Sequence, residues 1–93
     1  MNKYIVRGKD SGIFYCEIVK RVGPEVEMVN CKMIYYWTGA KSLNELALNG
    51  SSQPDKCLIT CACDNVVITD CVQIIQCSLE AINCLDGVEE WTM

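Results

Sequence analysis

The chain contains no histidine. That removes the commonest general base at neutral pH, the usual partner of a serine or cysteine nucleophile, and every Cys2His2 zinc site. No C-x-x-C, D-x-D, G-x-S-x-G or glycine-rich phosphate loop occurs, so the common spacings for a zinc knuckle, an acid pair, a serine hydrolase or a nucleotide-phosphate cradle are missing too. These gaps argue against an enzyme. They equally leave no cofactor to expect.

Long apolar runs are absent as well. The longest, Met33 to Trp37, has 5 residues, against the roughly 20 needed for a membrane helix. The first residues, MNKYIVRGKDSG, lack the apolar stretch of a signal peptide. The expectation is a cytoplasmic protein with no membrane partner. Positive charge is missing from one part of the chain. All 8 bases precede Cys57, whereas Cys57 to Met93 holds acids alone, among them Asp64, Asp70 and Asp86. Such a division arises by chance in a short chain, or it gives one face that attracts anions and another that repels them. Binding to duplex nucleic acid is not expected, because the bases are scattered and offset by acids in the same segment.

What is present fits one small domain. The 93 residues are 51% hydrophobic and 22% charged, too apolar for disorder. A chain of this size buries only about 60–65% of its unfolded surface and gains from self-association, so a homo-oligomer is expected. Ile13 to Val22 alternates with the period of a half-buried strand, and Gly23-Pro24 returns it as a hairpin. In Val26 to Trp37 the apolar phase changes, which predicts a bulge or break near Met28 to Asn30. Ser42 and Glu45 form an S-x-x-E capping box before Leu43, Leu46 and Ala47, and Gly50 suits the end of that helix. Cys57 to Cys63 and Asn65 to Cys77 read as strands, the second with a bulge near Asp70-Cys71. Ser78 caps a second helix that ends at Asp86-Gly87, and Val88 to Trp91 reads as an edge strand or ordered tail. The class is α+β: a small, mostly antiparallel sheet or partly open barrel of about five or six strands, with two short helices.

The stretch IYYWTGAKSLNELALNG, Ile34 to Gly50, resembles a family of small bacteriophage-encoded proteins. VVITDCVQIIQCSLEA and DGVEEW further on are similar to the same family. The likeness spans about Asn30 to Trp91, and its motif, W-x-G-A-x-S-L-x-x-L-A, looks structural. The family is a domain of unknown function, so the resemblance transfers no active site. It implies a phage origin and action inside a bacterial cell.

The 8 cysteines admit three readings. On a strand, Cys61 and Cys63 stand about 6–7 Å apart, too far for adjacent thiolates on one tetrahedral zinc unless Cys31, Cys71 or Cys77 joins from neighbouring strands. Disulfides suit a secreted chain better than a cytoplasmic one. The favoured reading is free thiol packing as a small hydrophobe, with Cys57, Cys61 and Cys63 buried beside Ile59.

One side of Tyr35-Tyr36-Trp37 joins the core, and the other presents an aromatic. The candidate binding residues are Tyr36 and Trp37, with Lys32, Lys41 and Arg21 as charged neighbours. An aromatic beside a lysine can stack on a base and meet a phosphate, or anchor a protein interface. Three functions follow. The first is a non-enzymatic phage protein that binds a host protein and inhibits a host process such as antiviral defence. The second is a homo-oligomeric sponge for a small anionic cyclic nucleotide. The third is a structural phage component.

Overall fold

A computed structural model describes residues 2–92. Three strands open the chain: β1 (Tyr4–Gly8), β2 (Ile13–Val22) and β3 (Glu25–Tyr36). Helix α1 (Leu43–Asn49) follows, then two short strands, β4 (Leu58–Ile59) and β5 (Val66–Ile68). The chain ends with β6 (Cys71–Gln76) and helix α2 (Leu79–Asp86). The six-stranded sheet is antiparallel in every strand pair and runs β4-β3-β2-β1-β6, with β5 also on β3.

The sheet is strongly curled. Only Thr69 and Asp70 link β5 to β6. On a flat sheet those strands lie four steps apart, about 19 Å. A link of two residues spans about 11 Å at most. The edges must therefore approach each other at this corner, and the Cys71 N–H donates to the Pro24 carbonyl at 3.0 Å across the gap. Elsewhere the sheet stays open.

The curl originates in the β2–β3 hairpin. Its register shifts between Tyr15 and Glu17 and again between Ile18 and Lys20. Asn30, opposite the first shift, has φ +47°, the left-handed conformation that asparagine tolerates better than most residues. The bulge expected between Met28 and Asn30 is this one. Across it the buried positions change phase, from Val26 and Met28 to Cys31.

Folding the hairpin over divides the apolar residues into two cores. Inside the curl lie Val6, Phe14, Cys16, Val26, Met28, Cys31 and Ile68. On the outer face Ile5, Tyr15, Ile34 and Ile59 pack under the helices, which contribute Leu46, Ala47, Ala81 and Leu85. Each helix starts at a serine whose hydroxyl accepts a backbone N–H three residues on, Ser42 from Glu45 and Ser78 from Ala81, each at 3.1 Å. Ser78 also ties the helices together, its N–H donating to the Ala47 carbonyl and its hydroxyl to that of Leu48.

Two of the strands read from the sequence come out differently. Cys57 to Cys63 is a strand only at Leu58–Ile59, and Asn65 to Cys77 is two strands on opposite edges of the sheet. β3 is creased at Asn30, so a straight neighbour cannot follow it. Pairing resumes in pieces, at a lone bridge between Cys31 and Cys63 and then at β5. Cys57 is buried as expected, but Cys61 and Cys63 are exposed, because no layer covers this broken outer strand. All 8 cysteines are free. Cys16 and Cys31 share the inner core, and the facing Cys31 sulfur together with burial pushes the Cys16 thiol well up.

One surface carboxylate holds a turn. Asp70 accepts the Ser11 hydroxyl at 2.6 Å and the N–H groups of Asp10 and Ser11 at 2.8 and 2.9 Å. These donors hold its carboxyl below the usual carboxylate range. A carboxylate favoured in the folded state stabilises above its unfolded pKa of about 3.9, and that contribution fades as pH falls through the folded value. Asp70→Asn is therefore expected to lower the melting temperature at pH 7 and to flatten its decline below about pH 4. Melting curves from pH 2 to 7 test this; parallel profiles for the two proteins would count against it.

Candidate binding surface

The end of β3 presents the aromatics. Ile34 faces the helix-side core at 3% exposure, while Tyr35 and Tyr36 are 64% and 51% exposed. Simple alternation would bury one tyrosine with Trp37. A register irregularity between Ile34 and Tyr36, where β3 meets β4, breaks the alternation and leaves both outside. Trp37 turns inward and packs against the helix-side core.

Tyr35 does not stand alone. After α2 the chain runs back beside β4, parallel to it at Ile59 and Glu90, and the Trp91 N–H donates to the Ile59 carbonyl at 2.9 Å. This places the Trp91 ring on Tyr35, with centroids 4.9 Å apart and planes at 26°. Such offset stacks contribute about 0.5–1.5 kcal/mol beyond area burial. The pair forms a two-ring shelf on the rim of the sheet. Tyr35 and Trp91 were not among the sequence candidates. Nothing local could have joined residues so far apart in the chain.

The charged candidates divide. Lys32 lies on β3 opposite Tyr15, and Lys41 is exposed just before α1. Tyr36 ends β3 and Trp37 follows it, while Lys32 lies further back within the strand. Arg21 belongs elsewhere. It sits by the hairpin tip, where its Nε donates to the Gly23 carbonyl, and it lines a cavity of about 260 Å³ with residues of β6. The five residues therefore do not form one patch.

Two further cavities, about 310 and 290 Å³, flank the C-terminal tail. Their charged lining is Asp55, Glu89 and Glu90, all acidic. Such walls repel an anionic ligand. Beneath the helices, Tyr15 donates its hydroxyl to Asp86 at 2.8 Å, and Lys3 pairs with the same carboxylate oxygen at 2.8 Å. Partial burial pushes the Asp86 carboxyl up, but the bonds from Lys3 and Tyr15 outweigh it and hold it low. Burial and the Asp86 bond push the Tyr15 hydroxyl well above its ordinary value. This triad fastens α2 to the strands.

A domain of unknown function (DUF6948) matches residues 1–85. The chain belongs to this family. The match takes in the N-terminal hairpin as well as the W-x-G-A segment, and it stops before Trp91. The DUF6948 match therefore includes Tyr35 of the shelf, and Tyr36 next to it in the chain, but not the ring stacked on Tyr35. Comparisons with curated proteins and with solved structures return no match. No helix among the described residues of this DUF6948 chain is long and apolar enough to cross a membrane.

Proposed function

We propose that this chain is a non-enzymatic binding protein of bacteriophage origin that engages a host protein and thereby inhibits a host process, antiviral defence among them. The observation that carries the reading is the exposed aromatic rim, Tyr35 stacked on Trp91 with Tyr36 beside it. Tyrosine and tryptophan are the residues most enriched at interface hot spots, since they bury much area for little lost side-chain freedom. The absence of histidine and of a phosphate loop favours binding over catalysis. The acidic walls of the tail cavities favour a protein partner over an anionic nucleotide there.

The test compares the wild-type chain with Tyr35→Ala/Tyr36→Ala as baits in infected-cell lysate. Both tyrosines are more than half exposed, so the variant keeps its fold. A host protein retained by the wild type and weakened at least about 30-fold with the variant, as loss of a 2 kcal/mol hot spot requires, supports the proposal. Equal capture by both baits would remove the aromatic rim from the working surface. A thermal-shift panel of bacterial cyclic nucleotides runs alongside. A specific shift there, without a protein partner, would replace this reading with the nucleotide sponge.

A further inference from the structure

We propose that the trough beside the C-terminal tail takes an arginine side chain from a basic stretch of the protein partner, with the guanidinium against the Trp91 ring and among the carboxylates of Asp55, Glu89 and Glu90. The inference rests on the reading of this chain as a binding protein, and it names the chemistry of what is bound.

The two cavities that flank the tail share Asp55, Cys57 and Glu89 in their walls, so they adjoin as one trough. One side comes from the segment Pro54 to Leu58 and the other from Gly87 to Thr92. Cys57 and Val88 of the lining are buried, while Asp55, Glu89 and Glu90 are exposed. Trp91 belongs to the second cavity, of about 290 Å³. Its ring is half-buried and held twice, by the backbone bond to Ile59 and by the stack on Tyr35. The stack covers one face of the indole, and the ring still borders Glu89 and Glu90 in the cavity wall. An aromatic fixed in this way loses little freedom on binding.

Three exposed carboxylates are ordinarily a solvated face. Here they adjoin a held aromatic in a concave wall, and the chain does not neutralise them. No ion pair among the described residues involves them, and Lys3 is taken by Asp86. Lys56, the base next to Asp55, is exposed and lines neither cavity. No base follows it in the chain.

Charge complementarity sets the occupant. Acidic walls repel an anion. No three acids or thiols among the described residues converge closely enough to hold a metal ion, so the carboxylates suit a larger, spread cation. An apolar segment would strip water from the carboxylates and leave them unpaired. A second copy, docking by the same patch across a two-fold axis, would bring like charges together. Arginine meets both parts of the wall. Its planar guanidinium stacks on an aromatic face, best of all on tryptophan, and its fork of N–H donors fits carboxylates. Lysine brings the charge without the plane.

The test uses a capped peptide of about eight residues, alternating glycine and arginine, with a lysine twin and a citrulline twin. Citrulline keeps the shape of arginine without its charge. Nuclear magnetic resonance follows the Trp91 indole N–H and the amides of Glu89 and Glu90. The arginine peptide is expected to shift these signals, the lysine peptide to bind several-fold more weakly, and the citrulline peptide to leave them unmoved. Glu89→Gln/Glu90→Gln and Trp91→Leu are each expected to weaken the arginine peptide about 10-fold. Leucine keeps apolar bulk and the backbone bond to Ile59 but has no ring face. Glu25→Gln/Asp64→Asn removes the same two charges at exposed positions outside both cavities, and is expected to change binding by less than about 2-fold. Equal losses in the two charge variants would reduce the effect to net charge and overturn the proposal. So would citrulline or lysine binding as tightly as arginine, full binding by Trp91→Leu, or no shift at Trp91.

The lysate comparison separates this inference from the reading beneath it. A host protein lost from the Tyr35→Ala/Tyr36→Ala bait but kept by a Glu89→Gln/Glu90→Gln bait would leave that reading standing and overturn this one. Arginine-peptide binding at Trp91 with no host protein captured would do the reverse.

Discussion

Replacing Gly39 by alanine is expected to cost the fold about 3 kcal/mol or more and to lower the melting temperature by roughly 15 °C. Two effects add. Gly39 has φ +81°, a conformation that penalises any side chain. A Cβ there would also stand 2.7 Å from the Gln53 nitrogen and 2.9 Å from that of Ser52. These are backbone atoms, and they are held. The Ser52 N–H donates to the Gly39 carbonyl, the Ser51 hydroxyl donates to the Thr38 carbonyl, and the Gln53 N–H donates to the Ser51 hydroxyl. The loop around α1 is closed by these contacts, so it cannot give way without opening. Gly23→Ala is the control. Gly23 also has positive φ, +57°, but nothing lies within 4 Å of its would-be Cβ. It should lose only about 1 kcal/mol. Equal losses at the two positions in thermal unfolding would mean that strain alone acts and that the contact with Ser52 and Gln53 is immaterial.

Met28→Ala and Leu46→Ala should each remove about 2–5 kcal/mol, a large part of the 5–15 kcal/mol typical of a small domain. Both side chains are fully buried, on opposite faces of the sheet. The two cores share every central strand, since Ile5 and Val6 of β1, and Tyr15 and Cys16 of β2, point alternately into one and the other. Opening the inner core therefore disrupts the strands that carry the outer one. In urea, Met28→Ala is expected to shift the fluorescence of Trp37, which packs on the helix side, by as much as it shifts the far-ultraviolet circular dichroism. Coincident midpoints indicate one cooperative unit. Separate midpoints would show the hairpin half unfolding by itself.

The W-x-G-A motif gains a physical reading from the same contacts. Trp37 anchors the strand end in the helix-side core, and Gly39 permits the close crossing over Ser51 to Gln53. Ser42 starts α1, and Gly50 ends it at φ +75°, where a Cβ would meet Cys84 Cβ at 2.6 Å. In this chain the segment is scaffold. The aromatic surface begins at its border, with Tyr35 and Tyr36.

Local punctuation is legible in the residues alone. Ser42 and Ser78 start helices because a hydroxyl one residue before the first turn satisfies an orphan N–H. Gly23-Pro24 turns the hairpin, and the phase change after Met28 places the bulge at Asn30, because apolar side chains must reach an interior on whichever face holds it. The α+β class follows from these elements. Partners far along the chain were decided only by the tertiary structure. The curl that splits Asn65 to Cys77 into two strands depends on the register shifts of the distant β2–β3 hairpin; those residues supply only the bulge beside Cys71, where the sequence places it. Cys61 and Cys63 have the alternation of a half-buried strand, yet alternation does not say whether a layer lies above, and here none does. Trp91 reaches Tyr35 because the chain after α2 has a strand edge, β4, on which to lie. Periodicity reports which side chains seek burial; which surfaces remain outside depends on what the fold can bring to cover them.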